Sequence, residues 1–542
     1  MWHKIVSFLK KPSTILIIIL LLGLFLRVYN LWDSIFISYD QARDAQRIQD
    51  LLFAKDLKLV GPETDIPGIF NGPLFYYLLA PVYFIFNFDP NYVALFLSII
   101  NLSGALLLYK VAMVLFKEKK VALIAAFLWA ISFEQLGFSK YISNASLMSI
   151  SSLIYFLGLA FYFIEKKSMG LIMSIIGLTA SIHFNIYLGY LFVFYPIFYF
   201  IYRPQIKVKQ IALNTVLFFF LLSPFIIAEL LWKFNGVKSL LEYMSHQSGS
   251  MNDVVESFTL YIQRVSASLY YSQFSFNIFL ASLFLIGFIF IVKKSKSDNL
   301  VFLFLWLFST LPLFGFRSGV INVAVINSSI FGAIILVFAK GLSQLLQNKK
   351  SYAVGIFILL LFFISNLFLF VKQNVLKIES QSAKNNILLY EKMAMDYTYK
   401  KAGGKKFSIC TITEPLFMNT TWSFLYDWYG KNKYGYVPYW SGSKQYMNKN
   451  NLPDDVDHTQ LRFLLFENQG GIPDHAWPSA LFAEDQLSTL EDEVKIGNMT
   501  IQMRKLEKNK KLLRDTQNLS LSDKRRLKSV TEIDNRYTCY HE

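Results

Sequence analysis

Two carboxylates follow the first membrane-length apolar run, 13–32, at the point where the chain re-enters water near the lipid headgroups. Asp40 and Asp44 are one helical turn apart with Arg43 nearby, in a segment (37–47) that is mildly amphipathic as a helix and suited to lie on a membrane surface. A carboxylate here can take a proton from a substrate hydroxyl, and the pair can share a proton or a divalent cation. The alternative is a solvated loop whose charges have no function.

The composition indicates a polytopic membrane protein. The chain has 542 residues, of which 54% are hydrophobic and 17% aromatic, and its apolar runs are too long and too many for a soluble core. The two cysteines, Cys410 and Cys539, can form one bridge but neither a zinc site nor a disulfide framework. The first apolar run lacks a small-residue cleavage site, so we expect it to be retained as a helix.

The net charge of +16 does not indicate a nucleic-acid partner, because of where the charge lies. Residues 373–542 carry 24 Lys and Arg against 21 Asp and Glu, so nearly all the excess is in the membrane part. There it concentrates in short loops between apolar runs, which is typical of cytoplasmic loops. The expected partner is therefore the lipid bilayer and not nucleic acid.

The lengths of the apolar runs predict about eleven membrane-spanning helices. They lie at 13–32, 91–116, 121–137, 146–164, 169–184, 186–202, 211–231, 278–292, 300–316, 320–339 and 351–371. Alternate loops form a set with 17 basic and 3 acidic residues, which is therefore cytoplasmic. The first outer loop, 33–90, carries 4 basic and 8 acidic residues and contains a short proline-broken run, 72–86, interpreted as a re-entrant or interfacial helix. A second large outer loop, 232–277, has amphipathic character.

An odd number of spans puts the N-terminus in the cytoplasm of a plasma-membrane protein and the C-terminal residues outside. The prediction is an α-helical polytopic membrane domain over 1–372, followed by a small extracytoplasmic α/β domain over 373–542. In that domain the pattern predicts a helix at 384–401 and strands at 405–413, 461–467 and 494–506.

Ionisable groups in or near spans are costly and usually functional, and here they sort to the outer side of the membrane. They are Asp40, Arg43, Asp44 and Arg47 after the first span, Glu134 and Lys140 after the third, His183 at the fifth, Glu229 at the seventh and Arg317 after the ninth. This sorting predicts one water-accessible cavity that opens outward and suits an anionic lipid headgroup.

These residues also have interpretations that involve no substrate. They are a packed histidine at His183, a solvated interfacial group at Glu134, an ordinary ion pair between Glu229 and Lys233, contacts of Lys140 and Arg317 with bulk-lipid phosphates, and an interfacial aromatic belt that includes Tyr76 and Tyr77.

The first outer loop resembles that of GT-C glycosyltransferases, especially family 39, the group of protein O-mannosyltransferases and the lipid A aminoarabinose transferase. Those enzymes carry an Asp-Glu pair after the first span, often followed by Arg and a short interfacial helix, and this chain has Asp-Gln-Ala-Arg at 40–43. The family's proline turn with aromatics is matched by Asn-Gly-Pro-Leu-Phe-Tyr-Tyr at 71–77. The family's helix end before a basic loop is matched by residues 109–120, and its Tyr-Ser-Arg element by Phe-Ser-Lys-Tyr at 138–141. The resemblance covers about residues 13–235 and is only topological beyond.

Two positions depart from the family pattern. Gln41 replaces the usual Glu, which puts any role of a second carboxylate there in doubt. Lys140 replaces the common Arg, which keeps the charge but weakens bidentate recognition of phosphate.

The resemblance implies inverting transfer of a sugar from a polyprenyl-phosphate donor to a hydroxyl of an extracytoplasmic protein, lipid or glycan. Asp40 would be the general base and Asp44 its support. The donor phosphate would be held by Arg43, Arg47, Lys140 and Arg317, and the substrate cavity lined by Gln41, Glu134, Tyr76, Tyr77, His183 and Glu229. No cofactor is required by the family; a divalent metal on Asp40 and Asp44 is the alternative.

Two other functions share this architecture. A transporter or flippase of lipid-linked sugars would show inverted repeats or paired broken helices, neither of which is evident in the sequence. A ligase or polymerase that moves whole glycans from a lipid carrier is harder to separate on sequence. A purified chain given a radiolabelled polyprenyl-phosphate sugar and membrane extract would distinguish a transferase from a transporter.

The charge asymmetry predicts that engineered cysteines near positions 118 and 430 lie on opposite faces of the membrane. A membrane-impermeant thiol reagent applied to intact cells should label the position near 430 and spare the one near 118. Labelling of both positions from the same side would contradict the eleven-span threading.

Overall fold

A computed structural model describes residues 11–32, 34–64, 66–205, 208–245, 255, 259, 261, 286–290, 292–293, 299–310, 327–374, 387–442, 451–455, 459–467 and 471–507. The described residues fall into two compact units. The membrane unit takes those within Met1–Leu31, Lys55–Val82 and Tyr92–Lys377, and the sheet unit those within Trp32–Ala54, Tyr83–Asn91 and Ile378–Glu542. The sheet unit thus combines the C-terminal residues with two pieces of the first outer loop. The predicted span 278–292 and the outer loop 232–277 lie mostly outside the described residues.

Helices dominate the described residues up to 374. The first eight are α1 (Pro12–Val28), α2 (Tyr39–Phe53), α3 (Leu74–Ile85), α4 (Pro90–Phe116), α5 (Lys119–Ile131), α6 (Phe133–Lys140), α7 (Ala145–Leu159, continued by a π-helical turn, Ala160–Ile164) and α8 (Met169–Phe184). A 3₁₀ helix (Ile186–Val193) follows, and then α9 (Phe194–Tyr202), α10 (Val208–Leu221), α11 (Ser223–Leu231), α12 (Asn235–Ser245), α13 (Leu300–Leu307), a 3₁₀ turn (Asn327–Ile330), α14 (Phe331–Gln347) and α15 (Tyr352–Asn374).

Among the described residues, 4 helices are long and apolar enough to cross a membrane, and up to 6 if each of two bent pairs counts as one span. The four are α4, α7 with its π-helical turn, α14 with the residues just before it, and α15; the bent pairs are α5–α6 and α10–α11. Shorter apolar helices include α1, α3 and α8. The chain is a mostly helical multi-pass membrane protein, and the number of eleven spans stays a prediction.

Three segments differ from the predicted threading. The spans expected as single helices at 121–137 and 211–231 are bent by 55° and 54°. Ser132 caps the second half of the first, and Pro224 supplies no N–H at the start of the second half of the other. The loop predicted at 340–350 is helical to Gln347, and Lys340 in this helix is 4% exposed and forms an ion pair with Glu118.

The membrane unit is packed most closely where α7 meets α8. A Cβ atom added at Gly177 would lie 2.3 Å from the backbone nitrogen of Tyr155, and one at Gly158 would lie 2.3 Å from that of Ser174. Small residues let the two backbones approach, as is common between membrane helices. This contact fixes α8, which carries His183 at its far end.

Among the described residues after 387, the sheet unit contains five strands and four short helices. They are α16 (Leu388–Ala402), β1 (Ser408–Ile412), α17 (Thr420–Leu425, continued by a π-helical turn, Tyr426–Gly430), α18 (Lys431–Tyr434), β2 (Tyr439–Trp440), β3 (Leu461–Glu467), α19 (Ala476–Leu487), β4 (Ser488–Ile496) and β5 (Met499–Leu506). The strand order is β2-β1-β3-β5-β4, with β1 parallel to β2 and β3, and β5 antiparallel to β3 and β4.

The predicted small α/β domain is confirmed in class but not in every element. The single strand predicted at 494–506 is a hairpin that turns at Gly497, whose φ of 61° suits a tight turn. Neither β2 nor α19 was predicted. The central strand β3 is almost wholly buried, whereas the edge strand β4 exposes charged residues that hinder pairing with other chains.

Two buried glutamates lie beneath α17. Glu391 is 0% exposed, and neither of its carboxyl oxygens has a hydrogen-bond partner among the described residues. Glu467 accepts a 2.8 Å hydrogen bond from Trp422 Nε1 on α17. Burial raises the pKa of Glu467 to about 8, and burial together with the Glu467 carboxyl raises the pKa of Glu391 well above its usual value. Both groups are therefore neutral in the fold near pH 7.

This pair predicts a pH-dependent stability of the sheet unit. Between the ordinary glutamate pKa of 4.5 and about 8 the unfolded chain releases protons that the fold retains, so the free energy of unfolding should fall as pH rises. Thermal unfolding of the full chain in detergent from pH 5 to pH 8.5 would show the decline. The double variant Glu391→Gln and Glu467→Gln should flatten it, and the exposed Glu491→Gln should not; an unchanged slope in the double variant would contradict the assignment.

Candidate functional site

The candidate base Asp40 lies in the first turn of α2 with its side chain 57% exposed. Arg43 Nη1 donates a 2.7 Å hydrogen bond to Asp40 Oδ1. The same guanidinium donates from Nε and Nη2 to Asp44 Oδ1 at 3.0 and 2.9 Å. Asp44 is only 6% exposed. The two carboxylates therefore differ: Asp44 fixes Arg43 from the buried side, and Asp40 presents its carboxylate to solvent.

Gln41 caps the helix that carries these groups. Its Oε1 accepts hydrogen bonds from the backbone N–H and the hydroxyl of Ser38, at 3.0 and 2.7 Å. This is a capping box, in which a Gln serves as well as a Glu. The replacement of the family's Glu is thus accommodated locally, and a contact of Gln41 with substrate stays a prediction.

Contacts within the sheet unit hold α2 in place. Its buried face includes Ala42, Ala45 and Ile48, and the helix packs against α17. Asn451 links the two elements, because its Nδ2 donates to Gln49 Oε1 at 3.3 Å and its N–H to Ser423 Oγ at 2.7 Å. The position of Asp40 therefore depends on contacts with residues far along the chain, such as Asn451, which is 402 residues from Gln49.

A further charged residue of α2, Arg47, is half-buried and has no ion-pair partner in the described part of the chain. A metal ion shared by Asp40 and Asp44 would compete with Arg43, which already contacts both carboxylates. Within the described ranges, no group of three or more His, Cys, Asp or Glu side chains is placed to hold a metal.

In the membrane unit, Glu134 and Lys140 lie at the two ends of the short helix α6, just after the first bend. Lys140 Nζ donates to the carbonyl of Tyr29 at 3.1 Å and to Asn374 Oδ1 at 3.0 Å. Both of these acceptors are neutral oxygens. At the other end of α6, the Phe133 N–H donates to Asn366 Oδ1 at 2.8 Å. Helix α15 therefore holds both ends of α6.

A buried arginine donates a hydrogen bond to a backbone carbonyl at the first bend, between α5 and α6. Arg27 is 0% exposed and donates from Nη1 to the carbonyls of Gly23 and Ala130, at 3.0 Å each. Its Nε and Nη2 donate to Asn101 Oδ1 at 3.1 and 2.8 Å, and Asn101 in turn donates to Gln135 at 3.0 Å. The bend interrupts the helical hydrogen bonds that would otherwise use the Ala130 carbonyl, and Arg27 supplies the missing donor.

A histidine donates a hydrogen bond to a backbone carbonyl at the second bend, between α10 and α11. His183 Nε2 donates to the carbonyl of Leu221, the last residue of α10, at 2.9 Å. Its ring packs against Gly72, where an added Cβ would lie 2.0 Å from Nδ1, and its carbonyl accepts from the Gly72 N–H at 2.9 Å. The proline turn at 71–77 is thus bound to the end of α8. This geometry is that of a packed histidine, and a substrate contact of His183 stays a prediction.

The remaining predicted residues have separate positions. Glu229 accepts a 3.2 Å hydrogen bond from the N–H of Val237 and so caps α12; among described residues it has no ion pair with Lys233. Tyr76 is fully buried in α3, while Tyr77 is 39% exposed and donates to the carbonyl of Lys58 at 3.0 Å. Arg317 lies outside the described residues.

The predicted residues that the structure describes are divided between the two units. Asp40, Gln41, Arg43, Asp44 and Arg47 belong to the sheet unit, and Glu134, Lys140, His183, Glu229, Tyr76 and Tyr77 to the membrane unit. That both groups face one cavity stays a prediction. Sequence reasoning missed Arg27, although an arginine inside an apolar run is itself a signal of a specific partner. Asn101 and Asn366 carried no such signal.

No protein-family model and no curated protein matches this chain. Solved structures do. ArnT from Cupriavidus metallidurans bound to undecaprenyl phosphate superposes with a TM-score of 0.57 at 9% identity, over 90% of this chain and 97% of that one. The apo state of the same protein gives 0.55 at 10% identity, over 91% and 97%.

The chain has the GT-C fold. The resemblance seen in the first outer loop is confirmed at the level of the fold. The likeness in structure extends beyond residue 235, where the resemblance in sequence was only topological. A weaker match is the archaeal oligosaccharyltransferase AglB from Archaeoglobus fulgidus in complex with an inhibitory peptide and a dolichol-phosphate, with a TM-score of 0.45 at 12% identity over 94% of this chain and 75% of that one.

The role of Arg27 in this GT-C protein can be tested by Arg27→Met, which keeps the bulk and removes the donors. The Ala130 carbonyl and the Asn101 side chain would be left buried without a donor, at about 1–3 kcal/mol for each group. The thermal midpoint of the purified protein in detergent should fall. The exposed Arg203→Met is the control. A midpoint as high as that of the unaltered protein would show that the bend does not depend on Arg27.

Proposed function

We propose that this chain is a membrane glycosyltransferase that moves a sugar from a polyprenyl-phosphate donor to a hydroxyl of an extracytoplasmic acceptor, with inversion at the anomeric carbon. The observation that carries the proposal is the exposed Asp40, paired with Arg43 at the start of an amphipathic helix directly after the first membrane helix. It occurs in a chain that shares its fold with ArnT over 90% of its length.

The donor class follows from that likeness together with the cations of the site. ArnT binds undecaprenyl phosphate in the matching structure. In this chain, Lys140 has two neutral hydrogen-bonding oxygens beside it, and Arg47 has no carboxylate partner within the described ranges. Positively charged side chains at a site are suited to a phosphate that gains charge as the sugar leaves.

The proposed chemistry is a single displacement. The Asp40 carboxylate takes the proton of the acceptor hydroxyl while its oxygen attacks the anomeric carbon from the side opposite the phosphate. The bond between the anomeric carbon and the phosphate oxygen breaks, and polyprenyl phosphate leaves with the bonding electrons. Asp44 does not take part directly; it holds the Arg43 guanidinium, which in turn orients Asp40.

The orientation in the membrane is part of the proposal. The turn after α7 and the start of α10, both predicted to be cytoplasmic, are joined by the hydrogen bond from Gln210 Nε2 to the carbonyl of Ser168, at 2.9 Å. Two further members of the cytoplasmic set meet where Lys340 pairs with Glu118. On the other side, Cys410 in β1 is disulfide-bonded, which suits an oxidising compartment outside the cytoplasm. These contacts support a cytoplasmic N-terminus and an extracytoplasmic sheet unit.

The sheet unit is the proposed acceptor-selecting part. It contains the helix that carries Asp40, so an acceptor bound to its surface would be held relative to the base by a packed interface and not by a linker. The acceptor class, whether protein, lipid or glycan, is open in this proposal.

A transporter or flippase is the second candidate, because the structure has the two bent helix pairs that the sequence did not reveal. In transporters, the groups released at such breaks bind substrate or ions. Here the Ala130 and Leu221 carbonyls accept instead from Arg27 and His183 of the protein itself. The bends are therefore filled by side chains, which favours the transferase.

The variant Asp40→Asn tests the mechanism, because it keeps the shape of the side chain and removes the base. Transfer from a radiolabelled polyprenyl-phosphate sugar should fall by roughly a hundred- to ten-thousand-fold, while insertion in the membrane and binding of the donor are retained. Asp44→Asn should have a smaller effect, since it loosens Arg43 without removing the base.

Asp56→Asn is the matched control. Asp56 is 59% exposed and pairs with Lys58, much as Asp40 is 57% exposed and pairs with Arg43. Its substitution should leave transfer unchanged. Near-normal transfer by a correctly inserted Asp40→Asn would remove Asp40 from the chemistry and favour the transporter.

A further inference from the structure

A cavity of about 400 Å³ lies in the membrane unit between the π-helical end of α7, α8, α9 and α10. Phe163, Leu171 and Ile175 form its buried inner wall. Phe192 and Phe219, which are 52% and 56% exposed, form its outer rim. Because the outer surface of a membrane helix bundle meets lipid, a cavity with this rim is accessible to a hydrocarbon chain from the bilayer.

The cavity and the predicted substrate-cavity residue His183 lie at opposite ends of α8. Leu171 and Ile175 lie in the first two turns of α8, whereas His183 lies at its end, about 18 Å further along the axis from Leu171 at 1.5 Å per residue. The cavity adjoins the turns on the predicted cytoplasmic side of the membrane unit.

One polar group points to the chemistry of an occupant. Asn214 is 2% exposed and lines the cavity, and its Nδ2 donates to the carbonyl of Gln210 at 2.7 Å. Its Oδ1 is buried and has no hydrogen-bond donor within the described part of the chain. A buried acceptor without a donor is costly, so an occupant with a hydroxyl group would be favoured at this position.

Basic residues lie in the chain within four residues of side chains that line the cavity. Lys166 lies in the turn after α7, Arg203 directly after α9 and Lys209 in the first turn of α10, and all three are exposed. The hydrogen bond between Gln210 and Ser168 brings the two turns together. Lys209 lies about 7.5 Å before Asn214 along the helix axis. In an occupant whose anionic group lies near these cations, the atoms next to that group would therefore lie near Asn214.

We propose that this cavity binds an anionic lysophospholipid of the cytoplasmic leaflet, at a site separate from that of the transfer reaction. A single hydrocarbon chain occupies the space between the aromatic rim and the inner wall. The free hydroxyl of the glycerol donates to Asn214 Oδ1, and the phosphate lies among Lys166, Arg203 and Lys209. Along the lipid, the hydrocarbon chain is followed by the hydroxyl and then by the phosphate. The same order occurs along α10, where the apolar lining is followed by Asn214 and then, in the first turn, by Lys209.

The test is binding of lysophosphatidic acid to the purified full chain in detergent, measured as the shift of the thermal midpoint with lipid concentration. Lysophosphatidic acid should stabilise the protein more than phosphatidic acid, which has no free hydroxyl, and more than lysophosphatidylcholine, which has no net charge. Equal shifts with all three lipids would overturn the proposal.

Two substitutions on neighbouring positions of α8 locate the site. Ile175→Trp fills the cavity and should weaken binding at least tenfold. Ile176→Trp is the matched control, because Ile176 is 46% exposed and is not a wall of the cavity, and it should bind as the unaltered protein does. Similar binding by the two variants would place the lipid elsewhere and overturn the proposal.

The hydroxyl is tested separately by Asn214→Leu. This variant should bind phosphatidic acid at least as well as before but lose the preference for lysophosphatidic acid. If the preference persists, Asn214 does not accept a hydrogen bond from the hydroxyl and the proposal fails. These measurements use no sugar transfer, so their outcome is independent of the proposed catalytic function.

Discussion

In an apolar helix bundle, every backbone carbonyl released by a bend needs a hydrogen-bond donor, and the membrane unit depends on how it meets this requirement. The two bent helix pairs solve it alike, with a basic side chain from another helix. Arg27 donates to Ala130, and His183 donates to Leu221. The first bend sets the direction of α6, and so the positions of Glu134 and Lys140. The buried guanidinium of Arg27 thereby helps to position the charged groups of Glu134 and Lys140.

The sheet unit meets a different constraint, which is to hold a polar, amphipathic helix in one place. Helix α2 has little apolar surface, and its buried positions include Gln41, Asp44 and Gln46. Packing against α17 supplies the missing contacts, and α17 is fixed in turn by the hydrogen bond between Trp422 and Glu467. The protonation state of a buried glutamate is thus connected through two packed helices to the segment that carries Asp40.

Burial separates residues that look equivalent in the sequence. Asp40 and Asp44 have the same side chain one turn apart, yet one is exposed and the other serves to fix an arginine. Gln41 and His183 are each committed to a backbone group: Gln41 to that of Ser38, and His183 to that of Leu221. A buried polar atom needs a partner within the protein, so such residues support the site, and accessible ones such as Asp40 are the candidates for chemistry.

The sequence by itself determined the class of protein, the place of α2 directly after the first membrane helix, and the small α/β domain at the C-terminus, because hydrophobic period, charge and turn residues are local properties. It also predicted that Asp40 lies in an amphipathic helix, and the structure added the capping box of Ser38 and Gln41 at the start of that helix. Only the tertiary structure decided that Arg27 serves a bend more than 100 residues away, that α2 belongs with the C-terminal sheet, and that Glu391 and Glu467 are buried together. These depend on which distant segments come into contact, and a single sequence contains no direct measure of that.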